Sequence, residues 1–111
     1  MTTLSTHVLD ATAGRPAAGV QVRLERRSLD GWEPAAEGQT GADGRLRLDD
    51  GTGFGPGVYR ITFSSGAYFQ ARGSASFYPE VTVTFEMTGP GEHCHVPLLL
   101  SPFAYSTYRG S

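Results

Sequence analysis

Val81-Thr82-Val83-Thr84-Phe85-Glu86-Met87 alternates apolar and polar side chains along its whole length. Successive side chains of a β-strand point to opposite faces, so this stretch places its apolar residues on one face and its polar residues on the other. Val20 to Glu25 and Tyr59 to Phe63 repeat the same alternation. We therefore predict three strands, each with one buried face and one exposed face.

Segments rich in Gly, Pro and Asp separate these strands. Four of them predict tight turns or loops: Ala13–Pro16, Asp30-Gly31, Asp43-Gly44 and Gly51–Gly57. The first lies between a strand near Leu4–Asp10 and a second strand near Gly19–Arg27. The regular spacing predicts an antiparallel β-sandwich of seven or eight strands, with one short helix around Ser65–Arg72.

The composition limits the classes of protein to consider. A chain of 111 residues predicts a single domain, residues 1–111, and its 15 Gly and 7 Pro argue against long helices. The net charge of -2 argues against binding nucleic acid through a general basic field, and no apolar stretch reaches the ~20 residues of a membrane helix. All nine basic residues are arginine, which excludes chemistry that needs a lysine. The lone Cys94 cannot form an internal disulfide, so a reducing, cytoplasmic location is expected.

The run Val96-Pro97-Leu98-Leu99-Leu100 is apolar throughout. Pro97 has no N–H to donate to a neighbouring strand, which predicts a sheet edge or a bulge at that point. We expect Leu98–Leu100 to be covered on both faces, by the core on one side and by a second subunit on the other. The 39% of hydrophobic residues predicts a core that is thin for a monomer of this size.

Three histidines, His7, His93 and His95, supply all the acid–base groups that titrate near neutral pH, apart from Cys94 and the chain amine. On a strand, His93 and His95 point to the same face, which indicates a metal half-site or a proton-transfer site. All three together could bind zinc with an open fourth position, although the spacing supports only two of the ligands. Alternation places His7 with Ser5, and it turns Cys94 away from its neighbours as a small buried hydrophobe.

Arg45 and Arg47 follow the Asp43-Gly44 turn and share a face if the strand is regular. Either guanidinium could be a solvated charge or could hold a planar, anionic or carbonyl-rich ligand through two parallel hydrogen bonds. The C-terminal segment Tyr105–Ser111 keeps a strand-like composition to its last residue. It is either a final edge strand with a polar end or a dense set of hydrogen-bonding groups at a site.

Several motifs resemble one known family. They are Leu4–Asp10, Thr40-x-x-Asp43-Gly44-Arg45, His95–Pro102 and the terminal Tyr108-Arg109-Gly110-Ser111, with Gly14–Ala17 and Phe77–Val81 in support. The chain resembles the 5-hydroxyisourate hydrolases of the transthyretin-like family from residue 4 to residue 111. The terminal tetrapeptide is the most specific motif, because it separates these enzymes from the transthyretin hormone carriers. Cys94 departs from the family pattern, in which a tyrosine commonly stands between the two histidines.

The resemblance implies a fold, an assembly and a reaction. The fold is an all-β, eight-stranded, two-sheet sandwich with one short helix, and the assembly is a homotetramer, a dimer of dimers with active sites in a channel between dimers. The reaction is hydrolysis of 5-hydroxyisourate in urate breakdown, with no cofactor and no metal. The implied catalytic residues are His7, His95 and Ser111.

The resemblance also implies residues that bind substrate, namely His7, Arg45, Tyr108, Arg109 and Gly110. His7 and His95 would activate water and protonate the leaving nitrogen, and Arg45 would hold the planar ring. Tyr108 and Ser111 would close the site, and His93 would stand behind His95. Two other functions stay open from the sequence: a non-catalytic carrier of the transthyretin type and a zinc-dependent cyclic amide hydrolase.

Overall fold

The computed structural model describes residues 1–89 and 91–111, and these residues form nine strands and one helix. In chain order the elements are β1 (Thr3–Asp10), β2 (Arg15–Pro16), β3 (Gln21–Ser28), β4 (Gly31–Gln39), β5 (Arg45–Arg47), β6 (Gly57–Phe63), α1 (Ser65–Ala71), β7 (Val81–Met87), β8 (His93–Ser101) and β9 (Ala104–Thr107). The predicted short helix is confirmed. The structure has one strand more than the upper value of the predicted seven or eight, because β2 adds a two-residue pairing with β1.

The strands form two sheets, as predicted. One sheet has five strands, in the order β2-β1-β8-β9 with β5 also paired to β1, and the other has four strands in the order β4-β3-β6-β7. The prediction of a wholly antiparallel sandwich is wrong for one pair: β1 and β8 run parallel, in register from Thr3–His93 to Asp10–Leu100. These two strands come from opposite ends of the chain, so no local turn signal reports their direction.

The hydrophobic core lies between the two sheets. Val22 and Leu24 of β3 and Ile61 and Phe63 of β6 are at most 2% exposed, which confirms the faces predicted from alternation. On β1 the alternation is complete, with every second residue from Leu4 buried and the intervening residues half-buried on the outer face. The polar side chains of β1 are therefore presented away from the core.

The apolar run in β8 lies in the interior of its sheet, between β1 and β9. Leu98 and Leu100 are buried in the core, while Leu99 is half-buried on the outer face. The ladder with the C-terminal segment stops at the Leu98–Thr107 pair and resumes at a single bridge between His95 and Gly110. The register is the same on both sides of this gap, so the effect of Pro97 is an interrupted ladder and not a bulge.

Helix α1 contributes two side chains to the core and is hydrogen-bonded to the end of β1. Tyr68 and Phe69 are buried, and the Tyr68 hydroxyl donates to Asp10 Oδ2 at 2.8 Å. Asp10 Oδ1 accepts in turn from the backbone N–H groups of Thr12 and Ala13. No helix formed by residues 1–89 or 91–111 is long and apolar enough to cross a membrane.

Candidate active site

Polar side chains gather on the outer face of the five-stranded sheet, where β5, β1 and β8 lie side by side. The register pairs His7 with Arg45 across β1 and β5, and Ser5 with His95 across β1 and β8. Paired residues on neighbouring strands project from the same face. The fold therefore brings together His7, Arg45 and His95, three of the residues that the sequence analysis assigned to the site.

A tight turn over residues 41–44 positions Arg45. The Gly44 N–H donates to the Gly41 carbonyl at 2.9 Å, and Asp43 Oδ1 accepts from the Arg45 N–H at 3.0 Å. Gly44 has a φ of +76°, and a Cβ at this position would lie 2.4 Å from the Val8 carbonyl oxygen. Only glycine lets the turn approach β1 so closely. Within the described part of the chain, the Arg45 guanidinium forms no salt bridge.

Arg47 shares the face of Arg45 but is already paired. Its Nη2 lies 3.1 Å from Asp49 Oδ2, and its Nε donates to the same carboxylate. Burial alone would raise the pKa of Asp49, but hydrogen bonds from Arg47, Leu4 and Gly51 outweigh it and lower that pKa to about 2. The structure thus separates two arginines that the sequence could not: Arg47 holds the fold, and Arg45 is available to a ligand.

His7 has one ring nitrogen fixed by the turn. Its Nε2 lies 2.9 Å from the Asp43 carbonyl oxygen, which can only accept a hydrogen bond. Nε2 therefore carries a proton and donates it to Asp43. In the neutral ring, Nδ1 keeps the lone pair and is the nitrogen that can take a proton from a ligand or a water molecule.

His95 is half-buried, and its Nδ1 lies 2.8 Å from Ser5 Oγ. Burial lowers the pKa of His95 below its usual 6.5, and the nearby positive charge of Arg45 lowers it further. The ring is therefore neutral at neutral pH. Because Ser5 occupies Nδ1, Nε2 is the nitrogen that can exchange a proton with a ligand.

The C-terminal tail packs directly against His95. The Gly110 N–H donates to the His95 carbonyl at 2.9 Å, and a Cβ on Gly110 would lie 2.5 Å from Cδ2 of the His95 ring. The Thr107 hydroxyl donates to the Pro97 carbonyl at 2.8 Å, which pins the tail where the ladder is interrupted. Gly110 is therefore needed for close packing, since any larger residue would push the ring or the tail aside.

The other tail residues surround a groove beside His93. Glu92, His93, Arg109, Gly110 and Ser111 line this groove, whose volume is about 420 Å³. Arg109 Nη2 lies 3.8 Å from Glu92 Oε2, a partner that the sequence analysis did not identify. Tyr108 is exposed, and β-ladder geometry places it opposite Pro97 on the face that carries the histidines.

Two hydroxyls of β1 are further site residues that the sequence analysis missed. Ser5 Oγ lies 2.8 Å from His93 Nε2 as well as 2.8 Å from His95 Nδ1, and Thr3 Oγ1 lies 2.5 Å from His93 Nδ1. Alternation already placed Ser5 on the face of His7. The missing signal was the parallel pairing of β1 with β8, which puts these hydroxyls beside the two histidines.

Cys94 points toward the core, as predicted, and packs against it as a half-buried side chain. Burial raises the pKa of its thiol. It lines a cavity of about 260 Å³ between β7, β8 and the tail. Across residues 1–89 and 91–111, no three His, Cys, Asp or Glu side chains come close enough to hold a metal ion, so the three-histidine zinc set is not formed there.

Comparison with known proteins gives a consistent set of relatives. A 5-hydroxyisourate hydrolase from Salmonella typhimurium is 46% identical over 109 residues, which is 97% of this chain and 80% of that protein. The protein of the same name from Caulobacter vibrioides is 45% identical and is covered over the full length of both chains. The one from Mus musculus is 43% identical over 97% of this chain and 94% of its own.

Solved structures agree with these relatives. The 5-hydroxyisourate hydrolase of Klebsiella pneumoniae superposes with a TM-score of 0.89 at 38% identity, covering all of both chains. Sea bream transthyretin in complex with thyroxine superposes with a TM-score of 0.91 at 36% identity, over 96% of this chain and 93% of that chain. The sequence profile of the HIUase/Transthyretin family matches residues 4–110. This chain belongs to the HIUase/transthyretin family.

Proposed function

We propose that this chain is an enzyme that hydrolyses 5-hydroxyisourate to 2-oxo-4-hydroxy-4-carboxy-5-ureidoimidazoline in urate breakdown. The observation that carries the proposal is the cluster of His7, Arg45 and His95 on one face, with the C-terminal tail packed against His95. Among residues 1–89 and 91–111, the two imidazoles each keep one ring nitrogen free and the guanidinium beside them has no carboxylate partner. This arrangement suits addition of water to a ring amide. Relatives named 5-hydroxyisourate hydrolase support the same reading.

Arg45 binds the substrate and stabilises the transition state. Its guanidinium offers parallel N–H donors to the carbonyl oxygens of a planar purine-like ring. When water adds to the amide carbonyl, negative charge develops on the oxygen, and a fixed donor there contributes roughly 10²–10³ in rate. The tight turn over residues 41–44 prepares the position of Arg45, so little reorganisation accompanies the reaction.

His7 and His95 divide the proton transfers. The Nε2–H of His7 is held by the Asp43 carbonyl, so its Nδ1 takes a proton from the attacking water. His95 faces the substrate with Nε2 and delivers a proton to the leaving nitrogen. A positioned proton donor or acceptor contributes about 10²–10⁴ in rate, which suffices for a ring amide that already opens in water.

The tail completes the site. Tyr108 closes it over the substrate, and Ser111 orients the attacking water or a histidine. Gly110 lets the tail lie against the His95 ring, and Arg109 contributes a further positive charge at the rim. The reaction needs no cofactor or metal in this scheme, because water is the nucleophile and the histidines move the protons.

We also propose that the chain works as a homotetramer, a dimer of dimers, in the cytoplasm. Strands β7 and β9 end their sheets, and Phe77, Phe103 and Tyr105 are exposed, features that suit contact with further copies. Half-buried Leu99 on the outer face suits an interface across the site. Sedimentation velocity tests the assembly: a species four times the 11.9 kDa chain mass supports it, and a monomer at assay concentration contradicts it.

The activity is tested by an ultraviolet time course in which urate oxidase generates 5-hydroxyisourate in situ. We expect this protein to accelerate decay of the intermediate, both with and without a chelator. Acceleration that the chelator abolishes would assign the histidines to zinc instead. Absence of acceleration would contradict the proposal and leave a small-molecule carrier, a function that the sea bream transthyretin neighbour bound to thyroxine illustrates for the same fold.

A further inference from the structure

Four side chains on the outer face of β1 and β8 form one continuous line of hydrogen bonds. In order they are Thr3, His93, Ser5 and His95, with successive polar atoms 2.5, 2.8 and 2.8 Å apart. The line begins at the half-buried Thr3, passes through the exposed His93 and ends at the half-buried His95. The scheme above uses only the ring at its inner end.

Counting protons shows that this line has two arrangements. The Ser5 hydroxyl has one proton, so it donates to one of the two imidazoles and accepts from the other. In the first arrangement, Thr3 donates to His93 Nδ1, His93 Nε2–H donates to Ser5, and Ser5 donates to His95 Nδ1. His95 then carries its proton on Nε2. In the reversed arrangement every donor becomes an acceptor, and His95 carries its proton on Nδ1.

We propose that Ser5 and His93 form a proton relay that allows neutral His95 to act as the acid in the reaction. This inference rests on the proposed function. A neutral imidazole is by itself a poor acid, because loss of its only N–H proton would leave an imidazolate. The relay removes this obstacle, since the ring regains a proton at Nδ1 as it loses one at Nε2.

The step balances as follows. The bond between the amide carbon and the leaving nitrogen breaks, and that nitrogen takes the proton of His95 Nε2. The Ser5 proton moves to His95 Nδ1, the His93 Nε2 proton moves to Ser5, and the Thr3 hydroxyl proton moves to His93 Nδ1. Thr3, half-buried at the outer end of the line, takes a proton from solvent. Solvent returns the line to its first arrangement between turnovers, while His7 releases the proton that it took from water.

Burial and a nearby positive charge keep the His95 ring, at the inner end of the relay, neutral. Burial lowers the pKa of His95, and the positive charge of Arg45 acts in the same direction. A neutral His95 can exchange its two tautomers through Ser5, whereas a doubly protonated ring would donate from both nitrogens and block the line. Ser5 and His93 are positioning residues here, because neither is required to touch the substrate.

Nitrogen-15 NMR of the histidine rings tests the relay in the intact protein without substrate. In the wild type, both ring nitrogens of His95 should resonate between the protonated and unprotonated positions, because the two arrangements exchange. Ser5→Ala and His93→Gln should each move these signals toward a single tautomer, while Ser5→Thr keeps them at the wild-type positions. Ser28→Ala, on β3 of the other sheet, is the matched control and should change nothing. If the His95 nitrogen shifts in Ser5→Ala or in His93→Gln equal those of the wild type, the relay is overturned.

Kinetics separate the relay from a packing role. Ser5→Ala and His93→Gln should lower kcat about tenfold with KM unchanged, a smaller loss than the ~10²-fold or more expected for removing an acid–base group outright. Ser5→Thr keeps the hydroxyl and should restore kcat, whereas equal losses for Ser5→Ala and Ser5→Thr would overturn the relay. If the wild-type chain does not hydrolyse 5-hydroxyisourate at all, the proposed function fails, and the NMR result still decides whether the two histidines share protons.

Discussion

The outer faces of the two sheets are built from similar residues and use them differently. On the four-stranded sheet, Arg60 Nε donates to Glu25 Oε1 at 2.8 Å, Arg23 lies 3.7 Å from the same carboxylate, and the guanidinium of Arg60 stacks over Trp32. On the five-stranded sheet, Arg45 forms no salt bridge within the described residues and stands beside His7. One face compensates its charges internally, and the other leaves a guanidinium and two imidazole nitrogens available.

This difference locates the function more sharply than residue type does. Charged groups that satisfy one another stabilise the fold modestly and leave nothing for a ligand. A charge held by a rigid turn, without a partner, is available to a substrate and is ready before the substrate arrives. The distinction also holds between two arginines on the outer face of the five-stranded sheet. Arg47 forms a salt bridge with Asp49, whereas Arg45, two residues earlier, does not.

Replacing His95 with Asn should have the largest effect. The change removes a ring that exchanges protons with the substrate, so kcat should fall by about 10²–10⁴. The thermal unfolding midpoint serves as the control and should stay close to wild type, because the side chain lies on the outer face and not in the core. Activity within tenfold of the wild-type level would contradict the role of His95. If the wild type shows no hydrolysis and His95→Asn binds its ligand as tightly as the wild type, the chain is a carrier.

Replacing Arg45 with Ala should come next. Loss of the donor to the developing oxyanion should lower kcat by roughly 10²–10³. Stability should hardly change, because the guanidinium has no carboxylate partner among the described residues. Arg45→Lys keeps the charge without the planar pair of donors, so partial recovery is expected. Full activity of Arg45→Lys would show that the positive charge alone accounts for the effect of Arg45 on kcat. It would contradict the role assigned to the two parallel hydrogen bonds.

Replacing Gly110 with Ala tests the contact between the tail and the active face. The new Cβ would lie 2.5 Å from Cδ2 of His95, so the ring or the tail must move. A displacement of about 1 Å at a catalytic group can cost up to ~10² in rate. Gly55→Ala is a suitable control, since its φ lies outside the left-handed region and no atom of the described residues lies within 4 Å of a Cβ there. Wild-type activity of Gly110→Ala would show that the tail adjusts without disturbing His95.

Local patterns predicted most of the elements in this fold. Alternation identified the buried faces of β3, β6 and β7, and the Asp43-Gly44 signal identified the turn that positions Arg45. The parallel pairing of β1 with β8 was not predictable in this way, because its partners are separated by about ninety residues, as the Thr3–His93 pair shows. That pairing places Ser5 between two histidines, so the hydroxyl line escaped the sequence analysis for the same reason.

The site was predicted through the family resemblance more than through the residues alone. The three histidines by themselves left proton transfer and, on weaker spacing, zinc binding both open, and Arg45 and Arg47 were indistinguishable. What separates these alternatives is distance in space: the Arg47–Asp49 ion pair, and the bond from His7 Nε2 to the Asp43 carbonyl. The roles of Tyr108, Arg109 and Ser111 stay predictions. Gly110→Ala tests them only indirectly, because it displaces the tail that carries these residues.

Replacing Arg60 with Ala tests the compensated face. The variant loses an ion pair with Glu25 and a contact with Trp32, both partly exposed, so we expect a loss of about 1 kcal/mol in the free energy of unfolding. Activity toward 5-hydroxyisourate should stay at the wild-type level, the reverse of Arg45→Ala. Chemical denaturation measures the stability loss, and a drop in kcat at constant stability would mean that the two faces are not functionally separate.

The same kind of charge should lower a pKa on both faces but favour opposite charge states, because one affected group is an acid and the other a base. The hydrogen bond from Arg60 lowers the pKa of Glu25 and favours its charged form, whereas burial first, and then the charge of Arg45, lower the pKa of His95 and favour its neutral form. The His95 ring should therefore titrate below 6.5 in an NMR titration, and Arg45→Ala should raise its pKa without reaching 6.5, because burial persists. Since the folded-state pKa is the lower one, this residue supports folding above pH 6.5, and that support is lost as the pH falls through the folded-state pKa. A His95 pKa of 6.5 or above, or a pKa that is the same in Arg45→Ala as in the wild type, would mean that the charge of Arg45 does not lower the pKa of His95.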